Sequence, residues 1–160
     1  MVKKKLSELA IDFKYGKMPD KSKIRECGDY PIYSGYRIVG YYDEFNLDKD
    51  QLVVVARGVG GTGDVKLSPC KCFLTNLSIA VQLNEEIINT RYAYYYFQIN
   101  NLRYLDSGSA QSQITINDLK NVEMPVPSIE IQNKIVHVLE TIDKKIELNN
   151  QINDNLLNVA

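Results

Sequence analysis

Residues 128–160 carry a hydrophobic periodicity that constrains the chain more than any other feature of its sequence. Ile135, Ile142, Asn149 and Leu156 recur at one heptad position, and Ile131, Val138, Lys145, Ile152 and Val159 recur at the other. Leu139 and Ile146 widen the stripe to one side. The spacing predicts one amphipathic helix from Ser128 to the C-terminus, a rod of roughly 45 Å at about 1.5 Å per residue. A small head that ends where the rod begins leaves one apolar edge in water, so the rod calls for a partner helix. The expected assembly is a homodimer through Ile131, Ile135, Val138, Leu139, Ile142, Ile146, Asn149, Ile152 and Leu156. Asn149 and Lys145 fall inside the seam and have two readings. They are either a solvated weak stretch near the helix end or polar seam residues that fix register and partner orientation.

The start of the rod is marked chemically. Pro125 and Pro127 cannot donate backbone hydrogen bonds and push their predecessors to extended conformations, so no helix runs through them. Ser128 is a suitable N-cap, and Glu130 lies in the first turn, where the helix dipole favours an anion. The expected division is a head of residues 1–127 and a spacer or dimerisation helix of residues 128–160. The head is long enough to bury a core of its own. No apolar run spans a membrane, and Met1-Val2-Lys3-Lys4-Lys5 lacks the apolar segment of a signal peptide, so a cytoplasmic location is expected. Three cysteines do not suggest a disulfide framework. With the single histidine, His137, on the rod, Cys70 and Cys72 do not make a metal set, and no metal is expected.

Within the head the pattern reads as a helix at Leu6 to Phe13, strands at Leu52 to Ala56, Val65 to Leu67, Cys72 to Leu74 and Leu77 to Leu83, and a helix from Thr90 through Leu102. The tyrosines of that second helix read as core packers with outward hydroxyls rather than as a stacking platform for bases. Strands and helices do not alternate regularly. The fold class is therefore α+β, a mixed sheet-and-helix head followed by one long coiled-coil-type helix. Two motifs mislead. Gly58-Val59-Gly60-Gly61-Thr62-Gly63 fits a dinucleotide fingerprint, but Asp64-Val65-Lys66-Leu67-Ser68-Pro69 cannot open the helix that would hold a pyrophosphate. Pro19-Asp20 with Asp64-Val65-Lys66 mimics a metal nuclease, but Asp20 sits in a polar basic loop. One histidine on the rod leaves no Ser/His/Asp set. No catalytic residue and no cofactor are expected.

Charge and loop chemistry point to a different role. Residues 1–25 hold eight basic side chains against three acidic, whereas the rod holds three basic against five acidic. A basic leading segment on a chain of net charge −1 suits a head that meets phosphates and a stem that does not. Three loops are rich in glycine and small polar residues: Gly28 to Gly35, Arg57 with the glycines after it, and Ser107 to Gln113. Glycines let backbone amides approach phosphates, and Arg and Gln pair two-pronged with base edges. The expected DNA-contacting set is Lys17, Lys21 and Lys23 on phosphates, with Tyr33, Ser34, Arg57, Thr62, Ser109, Gln111 and Gln113 nearest the grooves. A protein-binding adaptor that oligomerises through the rod is the alternative, and it leaves the basic segment incidental.

These residues resemble the specificity subunit of type I restriction-modification systems. The strongest match is Met124-Pro125-Val126-Pro127-Ser128-Ile129-Glu130-Ile131-Gln132, continuing with Ile135, Leu139, Ile142-Asp143 and Ile146-Glu147-Leu148-Asn149. Weaker matches run through Leu6 to Leu9, Gly16-Lys17-Met18-Pro19, Tyr30 to Gly35, Val53 to Gly63, Phe73-Leu74-Thr75-Asn76 and Ser107 to Gln113. The resemblance implies one target-recognition domain followed by one spacer helix. It implies double-stranded DNA, modification (methyltransferase) subunits and restriction subunits as partners. Adenine methylation and ATP-dependent cleavage would belong to those subunits and not to this chain. A complete subunit of that family has two such domains joined by antiparallel helices, so this chain is expected to be a half-subunit or a fragment of a longer one.

Overall fold

The computed structural model describes residues 2–58, 61–106 and 113–157. The expected α+β class is observed. The chain begins with β1 (Lys3–Lys5), a one-turn helix α1 (Leu6–Leu9) and β2 (Ala10–Tyr15). Then come β3 (Tyr30–Tyr33), β4 (Ile38–Tyr42), β5 (Leu52–Val55), β6 (Val65–Leu67), β7 (Phe73–Leu74) and β8 (Ser78–Leu83). Helix α2 (Thr90–Ile99), helix α3 (Ile116–Lys120), strand β9 (Glu123–Pro125) and helix α4 (Ile129–Leu157) complete it.

The centre is a four-stranded antiparallel sheet in the order β2-β8-β5-β6. Leu52-Val53-Val54-Val55 reads as an unbroken apolar run because β5 is covered on both faces, and all four residues are buried. The period of two divides them. Leu52 and Val54, with Ile79 and Val81 of β8, face the main core, where Tyr92, Ala93 and Phe97 of α2 close over them. Val53 and Ala80 face the other way, onto Tyr33, Leu47, Cys72 and Leu74. That second layer is a three-stranded sheet in the order β4-β3-β7, with β3 and β7 parallel.

Three expectations are corrected by this arrangement. The helix expected over Leu6 to Phe13 stops at Leu9, and Ala10–Tyr15 is a strand. Pairing with the edge of β8 outweighs the local helical spacing. Ile11 is left 64% exposed, beside a register irregularity between Ala10 and Asp12. Tyr30 to Tyr33, expected as part of a loop, is the middle strand of its sheet. Pro31 is tolerated there because β7 pairs only with Ile32 and Tyr33 and does not reach it. The second helix also ends three residues early, at Ile99, with Asn100 as its C-cap.

Helix α4 is 29 residues long, about 44 Å at 1.5 Å per residue. Its first half is fastened to the head. Gln132 is fully buried, and its Oε1 accepts from Asn89 N at 2.8 Å. Its Nε2 donates to Pro127 O at 2.9 Å and Ile87 O at 3.1 Å. Val136 enters the main core. Further along, Arg91 pairs with Glu140 at 3.1 Å, and the Tyr95 hydroxyl donates to Asp143 Oδ2 at 2.6 Å. From Thr141 to Leu156 every residue is exposed.

Truncating Gln132 to Ala removes the partner of one backbone N–H and two carbonyls at a half-buried junction. Equilibrium urea unfolding is expected to show a loss of about 1–3 kcal/mol. An unchanged midpoint would mean that this amide does not hold the helix to the head.

Candidate nucleic-acid interface

The loops that leave one end of the central sheet converge through main-chain hydrogen bonds. Arg57, just past β5, donates its N–H to Leu77 O at 3.1 Å. Asn76, next to Leu77, donates its N–H to Lys17 O at 3.0 Å. Ile114 donates its N–H to Ala56 O at 3.0 Å, which brings Gln113 beside Arg57. Lys17 and Arg57 are exposed there and Gln113 is half-buried. Three residues that lie far apart in sequence thus meet at one tip of the head.

The glycine run forms the connection of the β5–β6 hairpin, since the residues after it enter a strand that pairs back on β5. Gly63 donates its N–H to Val55 O at 2.8 Å and accepts from Leu102 N at 2.9 Å. Its φ is +93°, and an added Cβ would stand 2.4 Å from Arg103 N. Gly61 is crowded by a side chain instead. The ring of Tyr36 lies against it so closely that a Cβ would meet the hydroxyl oxygen at 1.9 Å.

Arg103 and Asp64 form the charged side of this loop. Arg103 Nε donates to Asp64 Oδ1 at 2.8 Å, and Nη2 donates to Oδ2 at 3.2 Å. The arginine side chain is 57% exposed, and the Asp64 side chain 21%. The hydrogen bond and charge of Asp64 raise the guanidinium pKa above its ordinary value. Burial is the larger cause of the raised Tyr36 hydroxyl pKa; the Asp64 charge adds to it and Arg103 opposes it. Gly58, Gly61, Thr62, Arg103 and Asp106 line a cleft of about 190 Å³ between these groups.

The remaining expected contacts fall into three groups. Lys21 and Lys23 are exposed on a short 3-10 turn, Lys21–Lys23, capped by Asp20, whose carboxylate accepts from Ser22 N at 3.0 Å and Ser22 Oγ at 2.7 Å. Those hydrogen bonds, then the charge of Lys23, hold the Asp20 pKa below its usual value. Tyr33, Ser34 and Thr62 are buried. Tyr33 is 8% exposed, and its hydroxyl donates to Gly35 O at 3.2 Å; burial pushes its pKa up to about 12. The Ser34 hydroxyl donates to Arg37 O at 3.1 Å, and the Thr62 hydroxyl to Gly58 O at 3.1 Å. These three hydroxyls are bonded within their own turns. Ser109 and Gln111 lie outside the described residues.

Tyr36, Asp64 in this role, and Arg103 were not evident from the sequence. Arg103 is brought to Asp64 by the main-chain bond between Leu102 and Gly63, a contact with no local signature. Cys70 is exposed and Cys72 buried, and no group of three or more His, Cys, Asp or Glu suited to a metal occurs among the described residues.

A family model for the type I restriction modification DNA specificity domain matches residues 1–158. The chain belongs to that family. It is 23% identical over 140 residues to a protein of Haemophilus influenzae assigned as a type I restriction enzyme specificity subunit, covering 87% of this chain and 36% of that one. It is 29% identical over 114 residues to the EcoprrI specificity subunit of Escherichia coli, covering 71% of this chain and 28% of the relative. The crystal structure of the type I restriction-modification S subunit from M. genitalium superposes with a TM-score of 0.79 at 26% identity, over 91% of this chain and 40% of that one. The specificity-subunit domain described here thus spans between about a quarter and two-fifths of the length of these relatives.

The two loop glycines are expected to respond differently to substitution. Gly63→Ala forces a side chain into a left-handed backbone and against main chain, which costs about 1–3 kcal/mol. Gly61→Ala meets only the far end of Tyr36, which is 41% exposed and can swing outward, so its cost is smaller. Urea unfolding of both variants checks the order, and a neutral Gly63→Ala contradicts it.

Proposed function

We propose that this chain reads one half of a split duplex DNA site and carries that address to the modification and restriction subunits of a type I system. Methyl transfer to adenine and ATP-dependent cleavage are then the partners' chemistry, and this chain supplies none. Membership of residues 1–158 in the DNA specificity domain family carries the reading. The convergence of Lys17, Arg57 and Gln113 at one tip supports it. In this reading residues 1–127 are the target-recognition unit and residues 128–160 the spacer and dimerisation helix. Lys17, Lys21 and Lys23 contact phosphates, while Arg57 and Gln113, with Ser109 and Gln111 of the neighbouring segment, approach the grooves. An adaptor role would leave this cluster of loops without a purpose.

DNA binding through phosphates releases counterions, so affinity falls steeply with salt. Fluorescence anisotropy on labelled duplex at several salt concentrations is expected to show that slope. Lys17→Ala should weaken all sequences alike and lower the slope by about one. Binding that is insensitive to salt, or absent, contradicts the proposal.

The same reading includes a homodimer through α4. Ile131, Ile135, Val138, Ile142, Ile146, Ile152 and Leu156 are each between 37% and 65% exposed. Asn149 is exposed beside them, and Leu139 is half-buried. Full burial of such a side chain contributes about 1.5–3 kcal/mol. Sedimentation equilibrium is expected to give a dimer at micromolar concentration and a monomer for Ile142→Asp. Ile142 is 47% exposed within one chain, so the variant leaves the head intact. A wild-type chain that stays monomeric at high concentration contradicts the seam assignment.

A further inference from the structure

We infer that Arg103, aimed by Asp64, is the guanine-reading residue of the cleft formed by Gly58, Gly61, Thr62 and Asp106. The inference rests on the DNA-reading proposal and adds a reader and a base type to it. Its basis is the division of labour within one guanidinium. Asp64 occupies the Nε and Nη2 edge through two nearly parallel hydrogen bonds of 2.8 and 3.2 Å. The end-on edge, with one hydrogen from Nη1 and the outer hydrogen of Nη2, is the edge that Asp64 does not use. That edge is the fork that matches O6 and N7 of guanine in the major groove. The side chain is 57% exposed and lines the cleft rather than the core.

Charge decides between a base and a phosphate as the partner. A phosphate seeks uncompensated positive charge, and here a carboxylate lies within hydrogen-bond distance of the guanidinium and would repel it. Guanine O6 and N7 are neutral acceptors, so the Asp64 charge costs them far less, and a fixed fork recognises them better than a mobile one. Asp64 is therefore a positioning residue. It is itself held in the β5–β6 connection, where its N–H donates to Gly61 O at 2.9 Å and its carbonyl accepts from Val55 N at 2.9 Å. The close approach of the Arg103 and Leu102 main chain to Gly63 leaves this loop little room to shift the pair.

The test is parallel selection from randomised duplex DNA with the 160-residue wild-type chain, Arg103→Lys and Asp64→Asn. The wild-type motif is expected to contain a G·C pair whose preference Arg103→Lys reduces about tenfold, the other positions being kept. Asp64→Asn should weaken preference at that same pair and at no other, because the fork remains but is less firmly aimed. Lysine keeps the charge, so a phosphate contact would survive Arg103→Lys with every base preference intact, and that result overturns the inference. A change spread evenly over the motif overturns it as well. A wild-type selection that enriches no sequence sinks the DNA-reading proposal itself, and the two failures are thereby told apart.

Discussion

The side-chain amide of Gln132 lies fully buried between the strut and the head, bonded to the main chain of Ile87, Asn89 and Pro127. A buried amide must find partners on both its oxygen and its nitrogen, and here both sets come from the head's own backbone. This fixes the rotation of α4 about its axis. Turning the helix by one residue, about 100°, would move the amide out of its bonds and bring Ile131 or the shorter Asn133 against the same backbone groups. With Gln132 and Val136 facing the head, Ile131, Ile135, Val138 and Ile142 fall on a flank of the helix that the head leaves largely uncovered. The exposed seam follows from the buried contact. Arg91 with Glu140 and Tyr95 with Asp143 extend the same fastening along α2, so the strut leaves the head in a defined direction only after its first half.

The head carries that definition to the other end of the molecule. Strands β5 and β8 are packed on both faces, by α2 on one and by the three-stranded sheet on the other, and the loops at their ends inherit that rigidity. Lys17, Arg57, Gln113 and the Arg103–Asp64 pair come from segments dispersed over much of the chain. They meet because the backbone bonds of Ala56, Arg57, Gly63 and Leu102 draw those segments together. The proposed reading tip and the exposed seam of the strut are thus held on one core.

Much of the fold could be read from local pattern. The heptad spacing after Pro127 reports a helix and the apolar run of β5 reports a buried strand, and both elements lie where the pattern predicts them. Elements whose state depends on a distant partner were harder. Ala10–Tyr15 is a strand only because β8 offers it an edge, and Pro31 sits in a middle strand only because β7 is short. The same limit applies to the site. Glycine, serine and threonine serve equally in a binding loop and in a turn that bonds to itself, so Tyr33, Ser34 and Thr62 could not be separated from Arg57 by composition. The Arg103–Asp64 pair was invisible because its members stand 39 positions apart.

If the strut pairs with a second copy as its exposed seam suggests, the twofold axis of the helices sets the distance and orientation of two reading tips. A symmetric protein then imposes inverted half-sites on a duplex, separated by base pairs that it does not touch. Hydroxyl-radical footprinting of the wild-type chain on its enriched duplex measures this directly. Two protected windows of inverted sequence, flanking an unprotected spacer of constant length, are expected. A single protected window, or protection that does not depend on sequence, would contradict it.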